Sequence, residues 1–327
     1  MGHKTLKYFF HSGKNSKLAY YGKSFLRLLL LPDAWFRLQR KGLLQTLGKQ
    51  EDRESILSRV DYYCKPIETT PLSSEAKPIA KFCRKDHRSV YFFDSYEYIR
   101  YFPTQLRWLF AFGDITEVPA EPAIVKSRPI MELNANSVLL NMGKVRHFVF
   151  FKDSIPFSQK CDKVIFRGEI AGKPGRIRFM EQWFGHPICD AGDVGNGSTY
   201  PDWKAEMLTL YEHLNYKFIM ALEGNDVASN LKWVMSSNSL AVMPRPCFET
   251  WFMEGKLIPD YHYVEIKPDY SDLKERIEYY IAHPDKAQEI IRHAHEWVMQ
   301  FQDKKREQLI SLLVLEKYFC QTGQFIS

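Results

Sequence analysis

The sequence YKFIMALEGNDVASNLKW, residues 216–233, has the pattern of a buried β-strand that ends in a short polar turn and continues into a helix. Its apolar run stops at Glu-Gly-Asn-Asp, and Asp226 or Ser229 is in position to cap the helix that follows. Doubly wound sheets bind anionic ligands where the carboxyl end of a strand meets a helix N-terminus. Lys232, one turn into the helix, could then neutralise a phosphate. The alternative is a capped helix with a surface lysine.

Two further segments combine an apolar strand with a polar turn. Residues 164–169, VIFRGE, lead into the basic, glycine-rich turn AGKPGR at 171–176, where backbone amides and arginine could hold a diphosphate. An ordinary surface turn is the interpretation that this pattern alone favours. Residues 237–244, SNSLAVMP, precede FETWF at 248–252, where an acid could bind ribose hydroxyls and a ring could stack on a base. A packed loop is the alternative there.

From about residue 88, short β-type runs alternate with helical stretches, which predicts parallel sheets with crossover helices and an α/β fold. The predicted strands are 90–93, 123–125, 137–140, 147–151 and 164–166. The predicted helices are 97–110, 176–184, 203–210, 229–236, 270–282, 285–299 and 303–320. A boundary near 152–162 separates two domains, so the predicted regions are helices at 1–50, domains at 51–158 and 159–300, and a C-terminal helix at 301–327.

The positive charge is concentrated at the N-terminus. The 327 residues carry a net charge of +6, but residues 1–50 hold ten Lys and Arg residues against a single acid, Asp33. That segment therefore carries +9 and the remainder −3. Residues 17–47 mix these cations with leucines and aromatic residues, and Pro32 interrupts the pattern, which predicts two short amphipathic helices. They suit either an anionic membrane surface or an ordinary docked pair with a solvated basic face.

Composition excludes several classes of protein. The 45% hydrophobic and 26% charged residues indicate a globular chain. No apolar run approaches the roughly 18 residues that a membrane span requires, and the N-terminus MGHKTLKYFF lacks the apolar core of a signal peptide. The six cysteines are scattered without C-x-x-C or zinc-ligand spacing, which indicates reduced thiols in a cytosolic protein.

A Gly-Asp pair at 113–114 follows the apolar segment 108–112. Asp114 could take a hydroxyl proton, although a turn-forming aspartate is the more frequent explanation of such a pair. The chain has neither Asp-x-Asp, the usual carboxylate cradle of a metal–diphosphate complex, nor the P-loop pattern G-x-x-x-x-G-K-[ST]. We therefore expect no metal and no cofactor, and a leaving diphosphate would rely on Arg, Lys and helix dipoles.

Together these motifs resemble glycosyltransferase family 90, which includes bacterial lipopolysaccharide-modifying proteins, fungal capsule-associated xylosyltransferases and animal protein O-glucosyltransferases. The resemblance covers roughly residues 88–300. It rests on GDITEVP at 113–119, KSRPI at 126–130, NSVLL at 136–140, KVRHF at 144–148, FRG at 166–168, FETWF at 248–252, HYV at 262–264 and DL at 272–273. The segments within 126–148 are most similar to the bacterial branch.

The resemblance implies a GT-B architecture, in which two Rossmann-like domains face a cleft, and inverting transfer from a nucleotide sugar with Asp114 as the general base. With the motifs above, it leads to an expected set of donor diphosphate residues: Arg167, Gly168, Lys173, Arg176, Gly224, Asn225, Asp226, Val227, Ala228, Ser229, Asn230 and Lys232. The residues expected at the donor nucleoside are Phe248, Glu249 and Trp251. Those expected at acceptor phosphates are Lys126, Arg128, Lys144 and Arg146.

Two departures separate the chain from the animal members, which carry an arginine in the place of Asn230 and a Ser/Arg-rich turn in the place of 169–172. The diphosphate contact is therefore open between Lys173, Arg176 and Lys232. The expected enzyme moves a hexose or pentose from a UDP-sugar to a lipopolysaccharide or lipooligosaccharide core. It would be a bacterial cytoplasmic protein, held on the inner membrane through residues 1–50 and without a nucleic-acid partner. The alternatives are a GT-B-like scaffold that has lost catalysis and a basic nucleic-acid-binding protein.

Overall fold

The structure is a computed structural model that describes residues 11–65, 68–197 and 200–324. Residues 1–10 of the predicted basic segment therefore lie outside the described residues. The chain divides into two compact units. Unit 1 consists of the described residues up to Asn15, Arg146–Cys247 and Glu254–Gln300. Unit 2 consists of Ser16–Val145, Phe248–Met253 and the described residues from Phe301 onward.

The units differ from the predicted regions because the chain returns to unit 2 after it has formed most of unit 1. Phe248–Met253 belongs to unit 2, although it lies within the predicted second domain. The C-terminal helix also packs into unit 2 and is not a separate region. In the middle of the chain the division falls between Val145 and Arg146, before the expected boundary near 152–162.

The helices and strands are numbered here in chain order. The described α-helices are α1 (Lys17–Leu30), α2 (Asp33–Gln45), α3 (Arg53–Tyr63), α4 (Ser89–Ile99), α5 (Lys144–His147), α6 (Pro174–Trp183), α7 (Leu210–His213), α8 (Leu231–Met235), α9 (Leu273–Ala282), α10 (Pro284–Met299) and α11 (Lys304–Gln321). The described strands are β1 (Lys77–Pro78), β2 (Arg107–Trp108), β3 (Phe110–Ala111), β4 (Ala123–Val125), β5 (Ser127–Pro129), β6 (Ser137–Leu139), β7 (Cys161–Gly168), β8 (Cys189–Asp193), β9 (Tyr216–Met220), β10 (Leu240–Met243), β11 (Phe248–Thr250) and β12 (Val264–Glu265).

Unit 1 is built on a five-stranded sheet in the order β12-β10-β9-β7-β8, with every neighbouring pair parallel. Its buried strands are nearly continuous apolar runs, as expected for a parallel sheet covered by helices. Residues such as Val164, Phe218 and Val242 form one core with Phe179 of α6 and Ile277 of α9. In this sheet β8 lies on one side of β7 and the later strands lie on the other, so the order in which strands are added reverses between β7 and β9. This reversal makes the sheet doubly wound.

Unit 2 combines a smaller parallel sheet, in the order β3-β4-β6, with two antiparallel pairs, β1–β2 and β5–β11. The C-terminal helix α11 packs against α2, α3 and α4. Its Glu307 is buried against Arg59 of α3, with 2.5 Å between Arg59 Nη1 and Glu307 Oε1. Both units therefore carry parallel sheets with helices, and the α/β prediction is confirmed.

The two N-terminal helices lie in unit 2, and their break falls at Leu31–Pro32, where Pro32 interrupts the sequence pattern. Ser16 caps α1, since its Oγ accepts a hydrogen bond from the Ala19 backbone N–H at 3.2 Å. Among the described residues, no helix has both the length and the apolar content needed to cross a membrane.

Several of the expected elements are wrong. Residues 90–93, expected as a strand, belong to helix α4, where a dense run of buried aromatic side chains hides the helical period. The expected helix at 97–110 contains the end of α4 and then β2 and β3. Residues 148–151 form no strand, because their backbone groups bind side chains: Phe148 O accepts from Asn15 Nδ2, and Phe151 N donates to Ser236 Oγ. Residues 205–209, within another expected helix, are also irregular.

Candidate functional site

The carboxyl ends of β7 and β9 lie side by side in unit 1, since Val164 pairs with Phe218 and Ile165 with Ile219. The glycine-rich turn after β7 leads into α6, and the turn 221–230 after β9 leads into α8. In an open, doubly wound sheet, the place where strand order reverses leaves a crevice at the carboxyl edge, and ligands bind there. Topology therefore brings two of the sequence-predicted segments to the same edge of this sheet.

Arg176 extends from the first turn of α6 to this edge. Its guanidinium donates from Nε to Glu223 O at 3.0 Å, from Nη2 to Leu222 O at 2.8 Å and from Nη1 to Glu169 O at 2.9 Å. All three acceptors are neutral backbone carbonyls. A guanidinium has five N–H donors, so these three bonds leave donor capacity for an incoming anion.

The charge of Arg176 is poorly compensated within unit 1. Burial lowers the pKa of Arg176 to about 10; the Glu169 carboxylate opposes this shift and Arg146 adds to it. Glu169 itself pairs with Lys173, at 3.0 Å between Oε2 and Nζ. A partly buried cation whose hydrogen bonds go to neutral groups gains most from an anionic ligand, and a planar guanidinium matches a phosphate well.

Gly168 and Gly224 lie on two sides of the Arg176 guanidinium. A Cβ at Gly168 would lie 3.3 Å from Nη1, and a Cβ at Gly224 would lie 3.2 Å from Nη2 and 3.5 Å from Cε of Lys173. A side chain at Gly224 would therefore press on the arginine. One at Gly168 would press first on the Phe166 ring, whose Cζ would lie 2.7 Å from the added Cβ, and then on the arginine. The two glycines, with Lys173 and Arg176, form one compact arrangement that we call the arginine seat.

Arg167 and Lys232 are oriented differently from Arg176. The Arg167 guanidinium lies against β8, where Nη2 is 2.6 Å from Asp190 Oδ1 and Nη1 donates to Asp190 O. Lys232 is completely buried, with its Nζ 2.6 Å from Glu254 Oε1. Both cations face carboxylates, so of the basic side chains proposed for the diphosphate, Arg176 has the environment best suited to an anion.

The turn between β9 and α8 is held by backbone and amide contacts. Gly224 N donates to Asp226 O at 3.1 Å, and Asn230 Nδ2 donates to Met220 O at 2.8 Å. The expected cap by Asp226 or Ser229 is wrong, because Asn230 occupies the N-cap position and no side chain caps this helix. The amide of Asn230 instead ties the turn to the end of its strand. Val227 and Ala228 are buried beneath the turn, and Asn225 is exposed.

Asp114 lies at the carboxyl edge of the parallel sheet of unit 2, just beyond β3. Lys126, just beyond the neighbouring strand β4, places its Nζ 2.5 Å from Asp114 Oδ1. The Asp114 side chain is 31% exposed and that of Lys126 only 3%. Gly113 before it has a φ of +127°, a conformation that favours glycine. Lys126 therefore acts as a buried support for a partly exposed carboxylate.

Arg128 and Glu249 form a buried ion pair across the β5–β11 ladder, at 2.7 Å between Nε and Oε1. Trp251 is also fully buried; its ring stacks on Tyr63 with 3.8 Å between centroids, and its Nε1 donates to Glu307. No nucleoside or acceptor could reach these groups without rearrangement of this core. Phe248, at the start of β11, is partly exposed.

The other two cations expected at the acceptor stand two residues apart on α5 but differ in exposure. Lys144 belongs to unit 2, and its Nζ is 2.5 Å from Glu97 Oε2 and 3.2 Å from the Tyr98 hydroxyl. Arg146 belongs to unit 1 and is exposed. Arg146 is thus the more accessible of the two.

Sequence reasoning missed the groups that neutralise the predicted cations. Asp190 and Glu254 hold Arg167 and Lys232, and neither stands near its partner in the sequence. The pairing of Asp114 with Lys126 did leave a signal, because each residue follows one of two consecutive strands. Neighbouring parallel strands bring such residues to one edge of a sheet.

Comparison with known proteins identifies the family of the chain. The model of "Glycosyl transferase family 90" matches residues 152–318. The chain is 40% identical to the "O-glucosyltransferase LpsA" of Dichelobacter nodosus over 305 residues, which cover 93% of this chain and 95% of that protein. It is also 31% identical over 109 residues to "Uncharacterized protein 027R" of Frog virus 3 (isolate Goorha), covering 32% of this chain and 11% of that protein. The chain therefore belongs to glycosyltransferase family 90 and is a glycosyltransferase.

Proposed function

We propose that the chain is an inverting enzyme of GT-B architecture that moves a hexose or pentose from a UDP-sugar to a hydroxyl of a lipopolysaccharide core. The name of the Dichelobacter nodosus relative, an O-glucosyltransferase called LpsA, supports glucose as the sugar and a lipopolysaccharide as the acceptor. The separate parallel sheets of the two units support two Rossmann-like domains.

The observation that carries the proposal is the arginine seat at the point where strand order reverses in unit 1. The proposed role of Arg176 and Lys173 is to bind the donor diphosphate and to stabilise the negative charge that builds up as it leaves. Gly168 and Gly224 support this role because their size lets the guanidinium sit close to both turns. Arg167 and Lys232 would then position the surrounding backbone through Asp190 and Glu254.

The proposed reaction is a direct displacement. The acceptor hydroxyl oxygen forms a bond to the anomeric carbon, and the bond from that carbon to the diphosphate oxygen breaks, so that UDP leaves with the electron pair. The hydroxyl proton passes to Asp114. The adjacent Lys126 ammonium supports this role, because its ion pair with Asp114 fixes the orientation of the carboxylate. The exposed Arg146 is the cation best suited to an acceptor phosphate. The partly exposed Phe248 is the aromatic residue best suited to the donor nucleoside.

Transfer from UDP-glucose, measured together with UDP affinity, tests this proposal. Asp114→Asn keeps the shape of the side chain but removes the base, so we expect turnover to fall by about 10²–10⁴-fold with little change in UDP affinity. Glu117→Gln, which alters an exposed acid in the same loop, is the matched control and should leave turnover unchanged. Full turnover in Asp114→Asn would remove Asp114 from the mechanism.

A further inference from the structure

Helix α1 is docked through polar and aromatic side chains. The Tyr20 hydroxyl donates to Asp94 Oδ1 at 2.7 Å, and Arg27 Nη1 is 2.8 Å from Glu97 Oε1. Asp94 is buried, so these contacts fix the rotation of the helix on unit 2. An ordinary surface helix buries its apolar stripe against the core, whereas α1 has no buried residue. Its aromatic contacts are those of Tyr21 and Phe25, which pack edge-on against Phe93.

The outward side of α1 is consequently apolar. At 3.6 residues per turn, Leu18, Leu26 and Leu29 fall on one side of the helix, and the exposed fractions of Leu18 and Leu29 are 86% and 78%. In α2, Leu38 is 84% exposed and Trp35 is also exposed. We call the exposed apolar residues of the two helices the leucine face: Leu18, Phe25, Leu26, Leu29, Leu30, Trp35 and Leu38. Exposed apolar groups of this density mark an interaction surface.

Cations surround the leucine face. Arg27 and Arg40 are paired with acids of unit 2. Four further cations form no ion pair within the described residues: Lys17, Lys23, Arg37 and Lys41. A fifth cation, Arg84, lies with its guanidinium carbon 5.6 Å from the centre of the Phe25 ring.

We propose that the leucine face inserts into the interfacial region of an anionic lipid bilayer, with the surrounding cations on lipid phosphates. A second copy of the chain is disfavoured, because face-to-face pairing would bring two sets of unpaired cations together. An anionic bilayer matches both the apolar centre and the positive border. This deepens the proposed function by assigning a cytoplasmic inner-membrane surface to the enzyme. Vesicle binding needs no donor, so it can fail while transfer to a soluble acceptor succeeds.

Flotation of the full-length protein with phosphatidylglycerol–phosphatidylcholine vesicles tests the proposal. Leu26→Glu combined with Leu29→Glu should weaken binding by about 100-fold, because two leucines can no longer enter the apolar layer. Leu133→Glu is the matched control, since Leu133 is an 82% exposed leucine elsewhere in unit 2. Lys17→Gln and Lys23→Gln should each weaken binding to anionic vesicles by about fivefold and should leave binding to pure phosphatidylcholine almost unchanged.

Insertion is located by quenching of tryptophan fluorescence with brominated lipids. The wild-type protein should show a quenched component that disappears in Trp35→Phe. Equal flotation of the wild-type protein and the double leucine variant would overturn the proposal. So would a double leucine variant that changes only the oligomeric state in lipid-free solution, because that result would assign the leucine face to a protein contact.

Discussion

Replacement of Arg176 tests the arginine seat most sharply. In Arg176→Ala, the carbonyls of Glu169, Leu222 and Glu223 lose their shared donor and the crevice loses its least compensated cation. In Arg176→Lys the charge remains, but one ammonium cannot reproduce the planar, multi-pronged contact. Arg178→Ala is the matched control, because it removes the same charge from an exposed position on the same helix.

The expected magnitude follows from these contacts. A hydrogen bond to a charged group contributes about 1.5–3 kcal/mol, so the loss of one or two such bonds to a diphosphate should raise the Kd for UDP by about 100-fold. The lost carbonyl contacts should lower the free energy of unfolding by about 2 kcal/mol. Arg176→Lys should lie between Arg176→Ala and the wild-type protein in both quantities.

Isothermal titration calorimetry with UDP and with uridine is the appropriate assay, with thermal unfolding to confirm that each variant is folded. UDP binding should weaken strongly in Arg176→Ala, while uridine binding, which involves no phosphate, should be nearly unchanged. Folded Arg176→Ala protein with wild-type UDP affinity would refute the role of this residue. An equal loss of UDP affinity in Arg178→Ala would show that the effect comes from the general loss of positive charge and not from the arginine seat.

Three further predictions concern stability. Burial lowers the pKa of His262 to about 4 from its ordinary 6.5. Its contribution to the free energy of unfolding, about 3 kcal/mol, is therefore complete above pH 6.5 and is lost as the pH falls through 4. Denaturant unfolding across this range should show the free energy of unfolding rise with pH, and His262→Gln should flatten that dependence. Gly192→Ala should lower the free energy of unfolding by about 1–3 kcal/mol, because the added Cβ would overlap that of Ala205. Urea unfolding should show a lower midpoint, and unchanged stability would contradict this packing. Arg59→Met should lower the free energy of unfolding by about 3–5 kcal/mol, because Glu307 would stay buried without its charged partner. Adding Glu307→Leu should recover part of that loss in the same assay. Full stability of the single variant would show that the ion pair is unimportant.

The sequence predicted much of unit 1 because its strands are continuous apolar runs bounded by glycine-rich turns. β7 and β9 are of this kind, and helices α9 and α10 follow clear apolar periods. Unit 2 was harder to predict, since its strands have only two or three residues and its helix α4 is buried on most sides. Local pattern cannot separate a short strand from a buried helical turn in such segments.

The site was predictable as a set of segments but not as a set of contacts. Arg167 and Arg176 are equally basic in the sequence, yet one faces Asp190 and the other faces backbone carbonyls. Likewise, Glu249 and Trp251 occupy a polar-aromatic motif that suits a nucleoside, and both are buried in the structure. Tertiary contacts from distant parts of the chain determine these environments.

Hydrogen–deuterium exchange with and without saturating UDP tests the location of the donor site most directly. UDP should slow amide exchange in the turns at 168–176 and 221–230, which flank the arginine seat, and this protection should disappear in Arg176→Ala. Protection confined to other parts of unit 1, or exchange in these turns that UDP does not change although it binds, would contradict the placement of the donor diphosphate at the ends of β7 and β9.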